Sequence, residues 1–183
     1  MQTFAVSLHF SPKSEELLNI QINNLASATG NNFRIDSHIM PHLTLGMFHA
    51  ESAEQLMLPV GKFVQQISVK QAEQIKQTMV MFDRAEIVKN KAVFLLPSAE
   101  CTTLLCKWNA ALHEIMHPYS SVANNGFYLP EYFMPHIALA TRLSCEQAKA
   151  ADDFLAQIKL PIAVESSCII LAQCKPYVVR GVF

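Results

Sequence analysis

Charge is scarce in this sequence: Lys, Arg, Asp and Glu make up 16% of its 183 residues and cancel almost completely, to a net −1. A protein that holds long nucleic acid by phosphate attraction carries a basic excess. That class is excluded, and a small anionic ligand held by a few local donors remains. No stretch rich in Gly, Pro or Ser interrupts the chain, so no flexible linker divides it. One domain of two lobes over 1–183 is expected, with approximate halves 1–90 and 91–183 interleaved by sequence. The cysteines lack a disulfide framework: five are scattered, an odd count with no CxxC pair, which suits a reducing compartment. No apolar run approaches the roughly 20 residues that span a bilayer. The opening Met1-Gln2-Thr3-Phe4 lacks a basic signal-peptide n-region. A soluble, cytoplasmic protein is expected, with no membrane contact and no protein partner.

What is present is apolar periodicity. Phe4, Val6, Leu8 and Phe10 alternate with Ala5, Ser7 and His9, the pattern of a half-buried strand. Ser11-Pro12 opens a helix that runs to about Ala28 and stops at Gly30. An extended stretch from Phe33 then leads to a strand over Met40 to Phe48. A helix carrying Leu56, Val60, Phe63, Val64 and Ile67 follows, with Pro59 expected to kink or split it. Thr78 to Val88 and Lys91 to Leu96 flank Lys89-Asn90 as a hairpin. An amphipathic helix from Ala99 to His117, a loop over 118–131 and a strand from Phe133 to Thr141 come next. A helix from Cys145 to Ile158 opens with Ser144-x-x-Gln147. Strands near Ala163 to Ala172 and Tyr177 to Phe183 finish the chain. The class is α+β, and the order suggests duplication of one α+β unit.

The duplication carries chemistry. Met40-Pro41-His42-Leu43-Thr44-Leu45 is answered in the second half by Met134-Pro135-His136-Ile137-Ala138-Leu139. Side chains two apart on a strand share a face. His42 therefore lies with Thr44, and His136 with Ala138. Imidazole titrates near neutral pH, so a pair of them supplies a proton acceptor and a proton donor.

This pattern resembles the 2H phosphoesterase superfamily, which includes 2′-5′ RNA ligase-like proteins and cyclic phosphodiesterases. Its signature is two copies of His-x-Thr/Ser-x with apolar x. His42-Leu43-Thr44-Leu45 fits fully, whereas His136-Ile137-Ala138-Leu139 has alanine where the hydroxyl belongs. The resemblance implies a duplicated two-lobed fold, with antiparallel-rich sheets facing a central cleft and helices outside. It implies metal-independent opening of a 2′,3′-cyclic or 2′-5′-linked phosphate on a nucleotide or RNA end, without cofactor. It further implies His42 as acid, His136 as base and Thr44 as phosphate-binding donor. Ala138 marks the second motif as degenerate. Losing one preorganised donor costs roughly 10²–10³ in rate, so a protein that binds such a ligand without hydrolysing it is the alternative. Arg142 has the right parity to stand in for the lost hydroxyl but lies further along the strand.

Other residues offer weaker signals. Tyr128, Tyr132 and Phe133 have the character of base-stacking groups, although aromatics before a strand usually pack. Lys175, Tyr177 and Arg180 near the C-terminus are candidates to reach a phosphate or nucleobase, although a solvated strand end is the favoured expectation for them. His9 ends the first strand, where it either borders the cleft or, as the favoured expectation, lies at the surface; His38 and His49 are expected in loops or at strand ends. His113-Glu114-Ile115-Met116-His117 is a literal HExxH, the helical zinc-protease motif, with Glu131 as a third ligand. Helical spacing puts both of its histidines opposite the apolar face, toward solvent, which disfavours a zinc peptidase.

Overall fold

A computed structural model describes residues 1–70 and 78–183. In chain order its elements are β1 (Gln2–Phe10), α1 (Pro12–Thr29), α2 (Phe33–Asp36), β2 (Leu43–Ala50), α3 (Glu54–Lys70), β3 (Met79–Val88), β4 (Ala92–Pro97), α4 (Ala99–Met116), β5 (Ser121–Val122), β6 (Ile137–Thr141), α5 (Cys145–Leu155), β7 (Ile162–Cys174) and β8 (Tyr177–Val182). Local chemistry sets the boundaries. Pro12 occupies the first turn of α1, and Gly30 ends that helix in the left-handed conformation at φ 68°. Ser144 and Gln147 form the reciprocal capping box that starts α5. Lys89 and Asn90 both take positive φ, 51° and 52°, as a two-residue hairpin turn requires.

Every strand pairing is antiparallel, in the order β1-β2-β6-β4-β3-β7-β8, with β1 also paired to β7. The long β7 makes this possible. Its residues Ile162–Glu165 pair with β3, and the run from Ser166 to Gln173 pairs with β1. One sheet half therefore holds β2, β1, the end of β7 and β8. The other holds β6, β4, β3 and the start of β7. The two halves meet again between β2 and β6, where Leu43 pairs with Ile137.

Helices cover the apolar faces in a crossed arrangement. Helix α1 follows β1 in sequence yet packs with α5 and against β6, while α4 follows β4 yet packs with α3 and against β2. Phe4, Val6, Leu8, Leu43, Leu45, Phe63, Leu95, Leu105, Ile137 and Ile169 are all fully buried beneath them. The alternate residues of the central strands are left for the opposite face, where His42 and His136 stand. Among the described residues no helix is long and apolar enough to cross a membrane.

Several expectations need correction. The extended stretch from Phe33 is the short helix α2, begun where the Asn31 side-chain oxygen accepts the Phe33 N–H at 3.3 Å. Helix α3 runs through Pro59 as one element. The strands expected from Met40 and Phe133 begin later, at Leu43 and Ile137. Pro41 and Pro135 lack the N–H a ladder needs, so each histidine sits just ahead of its strand. The loop over 118–131 contains β5, which pairs with Phe48 and His49 of β2, and a short 3₁₀ turn at Asn124–Gly126.

Candidate active site

His42 and His136 are held in the same way. Each ring nitrogen Nδ1 lies 2.8 Å from the carbonyl oxygen two residues earlier, of Met40 and of Met134 respectively. A carbonyl only accepts, so Nδ1 carries the proton in both rings and Nε2 is left as the basic nitrogen. The repeated Met-Pro-His segment thus fixes ring orientation and tautomer through its own backbone. The Leu43–Ile137 pairing places the two segments beside one another, related by a local two-fold. In an antiparallel register this sets Thr44 across from His136 and Ala138 across from His42.

Burial holds both rings neutral. It lowers the pKa of His42 to about 4, opposed by the Met40 carbonyl and reinforced by the positive charges of Arg34 and His136. His136 is also lowered, again by burial and again against its carbonyl partner. The charge of His136 acts on His42, so the two imidazoles lie within electrostatic reach of each other.

The surroundings of the two motifs differ sharply. On the first, β1 supplies Ser7 opposite Thr44, with the hydroxyl oxygens 3.4 Å apart. His9 stacks on His42, with ring centroids 5.5 Å apart and planes 17° from parallel. On the second, β4 supplies Phe94 opposite Ala138, and its ring stacks on His136 at 3.9 Å between centroids. The hydroxyl pair Ser7–Thr44 is thus matched by Phe94–Ala138. One side of the site is polar and the other apolar. An aromatic-lined cavity of about 380 Å³ opens on the apolar side, bounded by Phe94, Phe127, Tyr128, Tyr132, Met134 and His136, with Lys89 and Lys91 also lining it.

Other candidates from the sequence distribute as follows. Tyr177 pairs with Cys174 and lies within electrostatic reach of Arg34. Arg180 does not join this group: its guanidinium holds the Gln173 side chain, with Nε at 3.2 Å, and its charge acts on Glu54 of α3. Arg142 is also engaged elsewhere, its guanidinium 4.1 Å above the Phe33 ring. His113 is not on the solvent side. It packs against Phe48 at 4.9 Å with Nε2 buried, whereas His117 is exposed, so the HExxH pair is split between inside and outside. Among the described residues no group of three His, Cys, Asp or Glu is placed to hold a metal ion.

Sequence reasoning misses Arg34 and favours the wrong placement for His9. His9 is only 2% exposed rather than superficial, and among the described residues its Nδ1 has no hydrogen-bond partner. Its place on the cleft-facing parity of β1 is legible, but its burial depends on β7 and β2 closing over it. Arg34 lies on α2, an element the sequence does not announce. One of its Nη atoms donates to the Ile39 carbonyl at 3.3 Å, and its Nε is buried without a partner among the described residues.

The sequence matches no known family profile and no curated protein. Solved structures do match. Over 100% of this chain and 97% of its own, Escherichia coli LigT complexed with 3′-AMP superposes with a TM-score of 0.61 at 14% identity. The chain has the LigT fold. A protein described as a phosphoesterase gives a TM-score of 0.59 at 15% identity, covering 100% of this chain and 98% of that one. The MHV ns2 PDE domain gives 0.53 at 9% identity, covering 99% of this chain and 100% of that domain. The likeness to LigT is one of architecture, an α+β fold built on an antiparallel sheet of eight strands, and it spans both histidine segments.

Proposed function

We propose that the chain is a 2H-type phosphodiesterase that opens a 2′,3′-cyclic or 2′-5′-linked phosphate on a nucleotide or RNA end. The observation that carries this reading is the pair of identically oriented imidazoles, each with Nδ1–H tied to its own backbone, at a two-fold junction between sheet halves. The LigT fold supports it.

The chemistry needs one neutral and one protonated imidazole. His42 has the stronger reason to stay neutral, because the positive charges of Arg34 and His136 add to the cost of charging it. We therefore assign His42 as base and His136 as acid, the reverse of the order the resemblance implies. His42 Nε2 takes a proton from water as the water oxygen bonds to phosphorus. The bond from phosphorus to one ribose oxygen breaks, and His136 gives its proton to that oxygen. The product is a phosphomonoester beside a free hydroxyl. An anionic phosphodiester between the rings supplies the negative charge that raises the pKa of His136 and loads it with its proton. Thr44 donates to a phosphoryl oxygen, steadied by Ser7.

The Phe94–Ala138 exchange favours a second reading, a protein that binds the ester without turnover, because the second motif lacks its hydroxyl. Incubation with each of the four nucleoside 2′,3′-cyclic phosphates, followed by ³¹P NMR, separates the two. Conversion of the cyclic signal to a monoester signal supports the enzyme. Ligand line-broadening without conversion supports the binder, and neither effect removes both.

A further inference from the structure

Three large apolar side chains stand exposed around one cavity. Phe127, Tyr132 and Met134 are 56%, 69% and 41% exposed, and all three line the space of about 380 Å³ that His136 also lines. Scattered exposed hydrophobics need no explanation, but a group of them around one concavity marks a binding surface. The volume lies within the range of small-molecule sites. The chain turns sharply to build it. Asn124, Asn125 and Gly126 take φ of 54°, 52° and 75° in succession, a left-handed run that these residue types tolerate best. Phe127 and Tyr128 follow directly and reach the cavity. Asn109 of α4, 0% exposed, donates through Nδ2 to the Tyr128 carbonyl at 2.8 Å and to the Leu45 carbonyl at 2.7 Å, which holds this loop against β2.

Two cations reach the same cavity from the β3–β4 turn. Lys89 and Lys91 both line it, and Lys89 Nζ lies 5.4 Å from the centroid of the Phe127 ring. Among the described residues no Asp or Glu lines it. In a chain of net charge −1, this cavity is therefore locally positive. The turn that carries the lysines is fixed at its base. The Lys91 N–H donates to the Val88 carbonyl at 3.0 Å, and the Lys91 carbonyl accepts the Leu143 N–H at 3.0 Å. Phe94, whose ring stacks on His136, follows Lys91 by three residues, roughly 10 Å along the strand. The lysines and the histidine thus stand at one cavity, separated by a length that one nucleotide and an extended lysine side chain can bridge.

We propose that this cavity seats the base of the nucleotide whose phosphate lies at the histidines, and that Lys89 and Lys91 bind a second phosphate on the 5′ side of that nucleotide. The inference rests on the phosphodiester reading above and names its ligand more closely: a nucleotide with phosphate on both sides of its ribose, in preference to a nucleoside 2′,3′-cyclic phosphate. Exposed aromatic faces stack on a base of any sequence, and lysine ammonium groups donate charge-assisted hydrogen bonds to phosphate oxygens. One ribose joins all three groups, so a single ligand uses the histidines, the aromatic walls and the lysines together. An RNA end and a free 5′-phosphorylated nucleotide share this chemistry.

The test compares the affinities of adenosine 3′-phosphate and adenosine 3′,5′-bisphosphate by calorimetry, alongside turnover of adenosine 2′,3′-cyclic phosphate. The parent should bind the bisphosphate roughly five- to tenfold tighter. In the double variant Lys89→Gln, Lys91→Gln, which keeps side-chain length and removes charge, that ratio should fall to about one. The double variant Phe127→Ala, Tyr132→Ala should bind both probes about fivefold or more weakly while the ratio persists. All four side chains are exposed, and melting temperatures report whether the fold is intact. No preference for the bisphosphate in the parent, a preference that survives loss of both lysines, or full affinity without the aromatic pair overturns the proposal. Turnover of the cyclic phosphate in that case leaves the hydrolytic reading standing. A lysine-dependent preference without turnover keeps the subsite and removes hydrolysis, whereas a parent that binds neither probe and turns nothing over overturns both. A dinucleotide ending in a 3′-phosphate then separates the two sources within the proposal. Affinity at or above that of the bisphosphate supports an RNA end, and lower affinity supports a free nucleotide.

Discussion

Leu43 of β2 and Ile137 of β6 pair directly across an antiparallel junction, each the residue that follows a Met-Pro-His segment. This pairing makes the two-histidine arrangement a property of the fold, because equivalent residues of two repeats can face each other only across a local two-fold. The apolar side chains of the pair are fully buried, which turns the preceding histidines to the other face.

The roles of the two histidines differ, and leaving-group chemistry exposes the difference. A general acid matters only when the departing oxygen needs a proton. His136→Ala should lose about 10²–10⁴ in rate on a ribose ester and much less on a p-nitrophenyl phosphodiester, whose phenolate departs unaided. His42→Ala should lose comparably on both. The reverse pattern would exchange the assignments.

Burial lowers the His42 pKa to about 4, and the charge of Arg34 adds to that shift. With Arg34→Gln, one of the cationic neighbours that disfavour the imidazolium is gone, and the His42 pKa should rise, while burial still holds it below the ordinary histidine value. Histidine NMR titration follows it directly. In kinetics the acid limb of kcat/KM, where His42 must be neutral to act as base, should move to higher pH by the same amount. An unmoved His42 titration would remove Arg34 from the site.

His9 links folding stability to acid. Burial, with His42 beside it, lowers its pKa to about 4 against 6.5 for an exposed histidine. The unfolded chain then binds more protons between these values, so this contribution is fully present above about pH 6.5 and is lost as pH falls toward 4. The amount is on the order of 2–3 kcal/mol. His9→Phe keeps a flat ring and removes the titration. Urea unfolding at pH 7 and pH 4.5 should show a smaller acid loss for the variant, and equal losses would refute the linkage.

Much of this was legible in the chain itself. The alternation in β1, the capping box of α5 and the Lys89-Asn90 turn are local patterns, and each element appeared where its chemistry put it. The repeated Met-Pro-His was legible for the same reason. What could not be read was whatever depends on residues far apart: His9 buried by β2 and β7, Arg34 brought in by α2, and Arg180 turned toward Gln173. His113 shows the limit of helical spacing, which marks a polar residue as outward until a neighbouring strand, here through Phe48, covers it. The significance of Ala138 also needed the register, since only the pairing with Phe94 shows that the lost hydroxyl and the added ring are one change.

Asn109 should prove structural and functional together. Asn109→Leu leaves the Leu45 and Tyr128 carbonyls without their buried donor, a loss of about 2–4 kcal/mol. Denaturant unfolding should show that loss, and hydrogen exchange should show the segment around Tyr128 opening ahead of the sheet. A variant as stable as the parent would mean that the Asn109 hydrogen bonds to the Leu45 and Tyr128 carbonyls add nothing to stability.

The most direct test is hydrolysis of nucleoside 2′,3′-cyclic phosphates in the presence of EDTA by the parent, His42→Ala and His136→Ala. Turnover by the parent that survives EDTA and falls at least about a hundredfold in each variant is the predicted result. Turnover that EDTA abolishes, or that either variant retains in full, would contradict two-histidine catalysis at the junction of β2 and β6.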